Sequence, residues 1–170
     1  MKLTDYLAIY AAALSTWVFF WNVRRSKPNV KVRLILGTKE DELAEKYEVG
    51  LYVFVQNPSA HQVHLAGLTL YRRYEKTSVL ETLINTIKYK RYSRSWGWVG
   101  VSPHLYGISD GFPVTIESGK SYSVFMANEK VEEVLEDSVD GIIMASVQDH
   151  LWHNKYSKPF PFRPIKHEHK

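Results

Sequence analysis

An apolar run from Tyr6 to Val23, closed by Arg24, Arg25 and Lys27, constrains this chain more than any other feature. No charged side chain interrupts its eighteen residues. A helix of that length rises about 27 Å, close to the roughly 30 Å hydrocarbon core of a bilayer. Tyr6, Tyr10, Trp17 and Trp21 lie toward the two ends, where amphipathic rings favour the headgroup region, and Ala8 to Leu14 fills the middle. The run predicts one transmembrane helix, with residues 1–27 as anchor and basic flank; a buried N-terminal core helix is the competing reading.

The cationic flank orients the span. Arg24, Arg25, Lys27, Lys31 and Arg33 follow it, whereas the N-terminal side carries Lys2 and the terminal amine against Asp5. The positive-inside bias then places the N-terminus outside and the C-terminal domain in the cytoplasm, as a single-pass protein of the inner (cell) membrane. A cleaved signal fits poorly, because the small-residue site Ala11 to Ala13 precedes the most apolar stretch, Trp17 to Trp21. Ala8, Ala11, Ala12 and Ser15 recur at i, i+3, i+4 and i+7, a stripe of small side chains suited to close helix packing in lipid and so to a homo-oligomer or a second membrane protein. Ordinary alanine content explains the same stripe.

Beyond the anchor about 140 residues remain, enough for one domain with a real core over residues 28–162, followed by a polar tail, 163–170. The chain has no cysteine, which excludes disulfides, thiolate metal sites and a cysteine nucleophile, and fits a reducing compartment. The net charge of +4 is unevenly spread: residues 72–94 carry seven Lys/Arg against Glu75 and Glu81, and residues 129–140 carry six acids against Lys130.

Period-two alternation marks strands at Asn29–Leu36 and Val49–Gln56, the second stopped by Asn57-Pro58-Ser59. The polar stretch Asp41–Lys46 reads as a short helical turn. Val63–Tyr74 reads as one or two strands broken near Gly67. Phe112–Ile116 and Lys120–Met126 read as a hairpin across Glu117-Ser118-Gly119, and Gly141–Asp149 and Lys155–Phe160 as the last two strands. Many short strands, few helices and no repeat predict a mainly β fold, an immunoglobulin-like antiparallel β-sandwich.

Four segments carry a family resemblance: Arg24 to Val32, Val55 to Ser59, Phe112 to Lys120, and Val147-Gln148-Asp149 followed by Tyr156 to Phe160. Together they resemble a recurrent class of uncharacterised bacterial single-span membrane proteins with a small immunoglobulin-like domain. The resemblance covers most of the chain outside residues 75–111 and implies no catalytic residues. The departure is that insertion, where a short hairpin would be expected.

Within the insertion, Ser78-Val79-Leu80-Glu81 matches a capping box, and Leu80, Leu83, Ile84 and Ile87 follow at amphipathic spacing, so a short helix is expected. Lys88, Lys90, Arg91, Arg94, Trp96 and Trp98 then mix cations with aromatic rings, which suits an anionic bilayer surface or a protein partner. The competing reading packs the apolar stripe onto the sandwich and leaves the cations solvated. Nucleic acid is disfavoured, since the cluster is small and no RNA-binding motif accompanies it.

Histidine alone hints at a site. His61 with His64, and His150 with His153, offer metal-ligand chemistry, but three-residue spacing puts side chains on opposite faces of a strand. No nucleophile elbow and no phosphate-cradling glycine loop occur, so the chain reads as a non-enzyme without cofactor. The expected function is a membrane-anchored binding module presenting a cytoplasmic sandwich to a protein partner. A lipid-surface structural module and a histidine-based metal-binding protein are the alternatives. Candidate partner surfaces are a sheet edge, the basic insertion, or the acidic segment 129–140, whose Val131, Val134 and Leu135 permit a helix with one apolar face.

Overall fold

A computed structural model describes residues 3–26, 29–41, 46–89 and 96–163. The chain is mainly β, with antiparallel sheets and an apolar N-terminal helix, α1 (Leu3–Ser26). After α1 come β1 (Lys31–Asp41), β2 (Lys46–Gln56), β3 (Val63–Arg73), α2 (Val79–Tyr89) and β4 (Trp98–Val101). A 3-10 turn (Pro103–Tyr106), β5 (Val114–Ile116), β6 (Ser121–Ala127), α3 (Asn128–Leu135), β7 (Ile142–Asp149), β8 (Asn154–Tyr156) and β9 (Phe160–Pro161) complete the order.

Among the described residues the strands form a three-stranded sheet, β1-β2-β6, and a six-stranded sheet, β4-β3-β7-β8 with β5 on β3 and β9 on β7. Alternation decides which faces meet. Val32 and Leu34 of β1, Leu51, Val53 and Val55 of β2, and Val124 and Met126 of β6 share one buried cluster with Leu65, Leu68 and Leu70 of β3 and Ile143, Ala145 and Val147 of β7. Full burial of each such aliphatic chain stabilises by about 1.5–3 kcal/mol, so this common core is what joins the sheets.

Several expectations change in detail. β1 and β2 run to Asp41 and Lys46, which pair with each other, so the ends of the presumed helical turn are strand; residues 42–45 lie outside the described set. Val63–Arg73 is one strand. Its register on β7 shifts between Leu65 and Gly67, and the bulge switches the buried parity from Val63 and Leu65 to Leu68 and Leu70. Lys155–Phe160 divides into β8 and β9 because the buried Ser157 turns inward, its hydroxyl accepting the Ala145 N–H at 3.0 Å.

The largest correction concerns the presumed hairpin across Glu117-Ser118-Gly119. β5 pairs with β3 and β6 pairs with β2, so this turn carries the chain from one sheet to the other. Asn57, fully buried, holds the crossing: its Nδ2 donates to the carbonyls of His61 (2.8 Å), Ile116 (2.9 Å) and Glu117 (3.2 Å). Its backbone N–H donates to Lys120 O at 3.0 Å, and Gly119 N–H donates to its carbonyl at 2.8 Å.

These pairings define two ends. At one, Lys31 lies beside Gln56, Gln56 beside Ser121, Val63 beside Ile116, and Leu65 beside Asp149. At the other, Gly50 lies beside Ala127 and Arg73 beside Trp98. The helix α1 leads into the first end through Asn29 and Val30. The α2 excursion leaves from the second, and its neck is closed where Gly97 O accepts the N–H groups of Tyr74 (3.0 Å) and Glu75 (3.3 Å). Gly97 sits at φ 77°, and a Cβ there would stand 2.6 Å from Glu75 O, so only glycine fits. The eleven residues of β3 separate the two ends by about 35 Å.

Candidate membrane and partner surfaces

Thr4–Val23 within α1 is long and apolar enough to cross a membrane, and none of it is buried against the rest of the chain. Tyr6, Trp17 and Trp21 are exposed, as is every side chain of the stripe Ala8, Ala11, Ala12 and Ser15. Two hydroxyls in the middle of this helix are turned back on its own backbone: the Ser15 hydroxyl donates to Ala11 O, and the Thr16 hydroxyl donates to Ala12 O at 2.8 Å. Arg24 and Arg25 occupy the last helical turns and Lys27 lies outside the described residues.

The insertion forms the expected helix with its capping box intact. Glu81 N–H donates to Ser78 Oγ at 3.1 Å, and Ser78 N–H donates to Glu81 Oε2 at 2.7 Å. Its orientation is the reverse of a packed surface helix. Leu80, Leu83, Ile84 and Ile87 are 70%, 57%, 54% and 77% exposed, while Thr82, Asn85 and Thr86 on the other face are half-buried. The stripe therefore does not cap the core.

The cations and rings expected beside this helix are only partly gathered. Lys88 is exposed and stands 5.3 Å from the Tyr89 ring centroid. Trp96 packs on Tyr89 at 5.7 Å, Trp98 lies under the Arg73 guanidinium at 5.0 Å, and both indoles are half-buried. Lys90, Arg91 and Arg94 lie outside the described residues. The opposed charge blocks of the sequence meet each other: Arg72 pairs with Asp137 at 2.7 Å and Arg73 with Asp140 at 2.9 Å. The acidic segment does form a helix with an apolar face, α3, but Val131 and Val134 are fully buried in the core, so that face is already occupied.

The four histidines sit at one end of the sheets. His64 and His150 meet edge to face with centroids 5.8 Å apart, and His64 Nδ1 is 2.7 Å from the Thr115 hydroxyl. The carbonyl of His61 serves the Asn57 crossing, and His153 Nδ1 lies 3.3 Å from Asp149 Oδ2. Among the described residues no three His, Cys, Asp or Glu side chains are grouped to hold a metal ion.

A further surface went unread in the sequence. The β7–β8 turn, residues 149–153, presents Leu151 and Trp152 at 72% and 78% exposure. Asp149 builds the turn: its Oδ1 accepts the N–H groups of Leu151 and His153, both at 2.9 Å, and its carbonyl accepts Trp152 N–H at 3.0 Å. Partial burial pushes the Asp149 carboxyl up. The His153 N–H, the His153 ring and the Leu151 N–H outweigh that and hold it below the usual carboxylate range. Trp152 closes the turn at φ 66°, a left-handed conformation in which hairpins of this kind normally place glycine. The available signal was a Leu-Trp pair where a turn between two strands ordinarily carries polar residues.

No protein-family model matches the chain. No curated protein matches it significantly either. It is similar to an X-ray structure of a Northeast Structural Genomics Consortium target, at 14% identity and a TM-score of 0.31, over 86% of this chain and 97% of that one. A likeness at that level carries no argument about fold or function.

Proposed function

We propose that this chain is a single-span membrane protein whose immunoglobulin-like sandwich binds a protein partner through α2. The observation that carries the reading is the exposed stripe Leu80, Leu83, Ile84 and Ile87, held on a capped helix about 35 Å from the end that α1 enters. Anchors at i, i+3, i+4 and i+7 are how an amphipathic helix docks in an apolar groove, so the fitting partner is a protein with such a groove. A helix in water with that face uncovered forgoes burial worth more than a kcal/mol per large side chain, which supports its being covered in the working complex.

The exposed stretch Tyr6–Val23 of α1, free of charged side chains, supports a bilayer span, and the basic residues after it support a cytoplasmic domain in the inner membrane. Two sheets around one core support the sandwich, as does Tyr122, whose hydroxyl donates to the upstream Asp110 carbonyl at 2.9 Å in the manner of a tyrosine corner. The resemblance to bacterial single-span proteins with such a domain points the same way.

The test places a photo-crosslinking residue at Leu83 in the full chain in bacterial cells, with a C-terminal reporter for sidedness. A discrete protein adduct that disappears on Ile87→Glu, together with a cytoplasm-active reporter, is the expected result. Adducts with lipid alone would make α2 a membrane-surface helix and reject the protein-partner reading.

A further inference from the structure

We infer that the β7–β8 turn is a second membrane contact, with Leu151 and Trp152 seated in the headgroup region of the bilayer that α1 crosses; the inference rests on the anchor reading above. Three observations carry it. First, register puts the turn at the membrane-entry end. Asp149 pairs beside Leu65, Val63 beside Ile116, and Ile116 is tied through Asn57 to the Gln56–Lys31 pair from which α1 is reached. An unbroken chain of pairings thus connects the turn to the residues that follow the span.

Second, the pair is presented rather than merely left exposed. The Asp149 carboxylate fixes the backbone on both sides of Leu151, and the strand pairs Gln148 with Asn154 and Val147 with Lys155 hold the base of the turn. An indole at a left-handed position costs backbone energy that glycine would avoid, so the fold tolerates strain to keep this ring outermost. Tryptophan, an apolar body with one N–H donor, is the side chain that the bilayer interface favours.

Third, the charge around the turn suits anionic headgroups. Lys31, Lys120 and Lys155 are exposed at this end against the exposed Glu117, and the turn's own carboxylate is engaged inward by the N–H groups and ring it accepts from. Each cation near an anionic leaflet contributes on the order of 1 kcal/mol. The occupant is therefore a lipid interface, and the turn and α1 together would fix the domain end-on, with α2 pointing away.

Because the chain has no cysteine, single cysteines report single positions. The full-length protein would be reconstituted in vesicles of mixed neutral and anionic phospholipid, with an environment-sensitive fluorophore on Val18→Cys, Leu151→Cys or Leu83→Cys and a quencher on the lipid. The expected result is strong quenching and a blue shift at positions 18 and 151, with neither at position 83. Quenching at 18 but not at 151 overturns this inference and leaves the anchor standing. No quenching at 18 overturns the anchor and the inference together. Equal quenching at 83 and 151 overturns the end-on arrangement.

Discussion

Asn57 Nδ2 donates to the carbonyl of Ile116 at 2.9 Å, across fifty-nine positions of sequence, and both groups are buried. That bond joins the end of β2 to the end of β5 and so fixes where the chain changes sheets. The Ser59 hydroxyl also donates to Asn57 Oδ1, so one amide serves both sides of the crossing.

Replacing this amide removes several bonds and leaves their partners buried. Asn57→Leu strands the carbonyl of Ile116 and the N–H of Ser59, both buried, each worth about 1–3 kcal/mol when desolvated without a partner. We expect the variant to lose about 3 kcal/mol or more, read as a lower urea midpoint of the detergent-solubilised full chain by near-ultraviolet circular dichroism. A midpoint equal to wild type would show that the crossing is held by packing alone.

The Arg73–Asp140 pair is a narrower test. Its side chains are 27% and 13% exposed, the guanidinium also covers Trp98, and Asp140 Oδ1 accepts Ile142 N–H at 3.2 Å. Asp140→Asn keeps that acceptor and removes the charge, so it isolates the ion pair, with an expected cost of about 1 kcal/mol. Asp140→Ala removes both and should cost about 1 kcal/mol more by the same unfolding measurement.

Local chemistry was legible in the sequence and long-range pairing was not. The apolar N-terminal helix, the Ser78–Glu81 capping box and the alternation of β2 depend on neighbours a few residues apart, and all three are present as read. The segment Glu117-Ser118-Gly119 looks the same locally whether its flanking strands pair with each other or with different sheets; Asn57, sixty residues away, decides. Amphipathic spacing likewise showed that α2 has an apolar face without showing whether anything covers it. The two charge blocks read as rival binding surfaces, because the Arg72–Asp137 and Arg73–Asp140 contacts bridge sixty-five and sixty-seven positions.

If α2 is a docking helix, its apolar face should matter to binding and not to folding. Leu83→Glu and Ile87→Glu should leave the unfolding midpoint within about 0.5 kcal/mol of wild type, since neither side chain is buried. Ile87→Glu should remove the partner crosslinked from position 83, and Leu83→Glu the partner crosslinked from a photo-crosslinking residue at Leu80. A large loss of stability instead would mean that the stripe is covered by the chain itself.

The turn at Asp149 should weaken in acid. Its carboxyl is held below the ordinary value in the folded state, so its contribution is present above the unfolded value of about 3.9 and is lost as pH falls through the folded value. Hydrogen exchange at the Leu151 and His153 amides should accelerate below about pH 4 in excess of the chain's general response, and Asp149→Ala should abolish that pH step.

Trp152→Gly separates stability from the role proposed for the turn. The left-handed position costs a non-glycine residue about 1–2 kcal/mol, and the greater unfolded-state freedom of glycine offsets part of that gain. Because the indole is 78% exposed, removing it forfeits little packing. The variant should therefore be more stable than wild type by about 0.5–1 kcal/mol in urea unfolding. The same substitution should weaken lipid quenching at Leu151→Cys, since the ring that holds the turn at the interface is gone. A residue whose removal stabilises the fold while loosening its contact with the bilayer is kept for the contact. A destabilised variant would instead show that Trp152 packs in the working protein, and the left-handed ring would then belong to the fold.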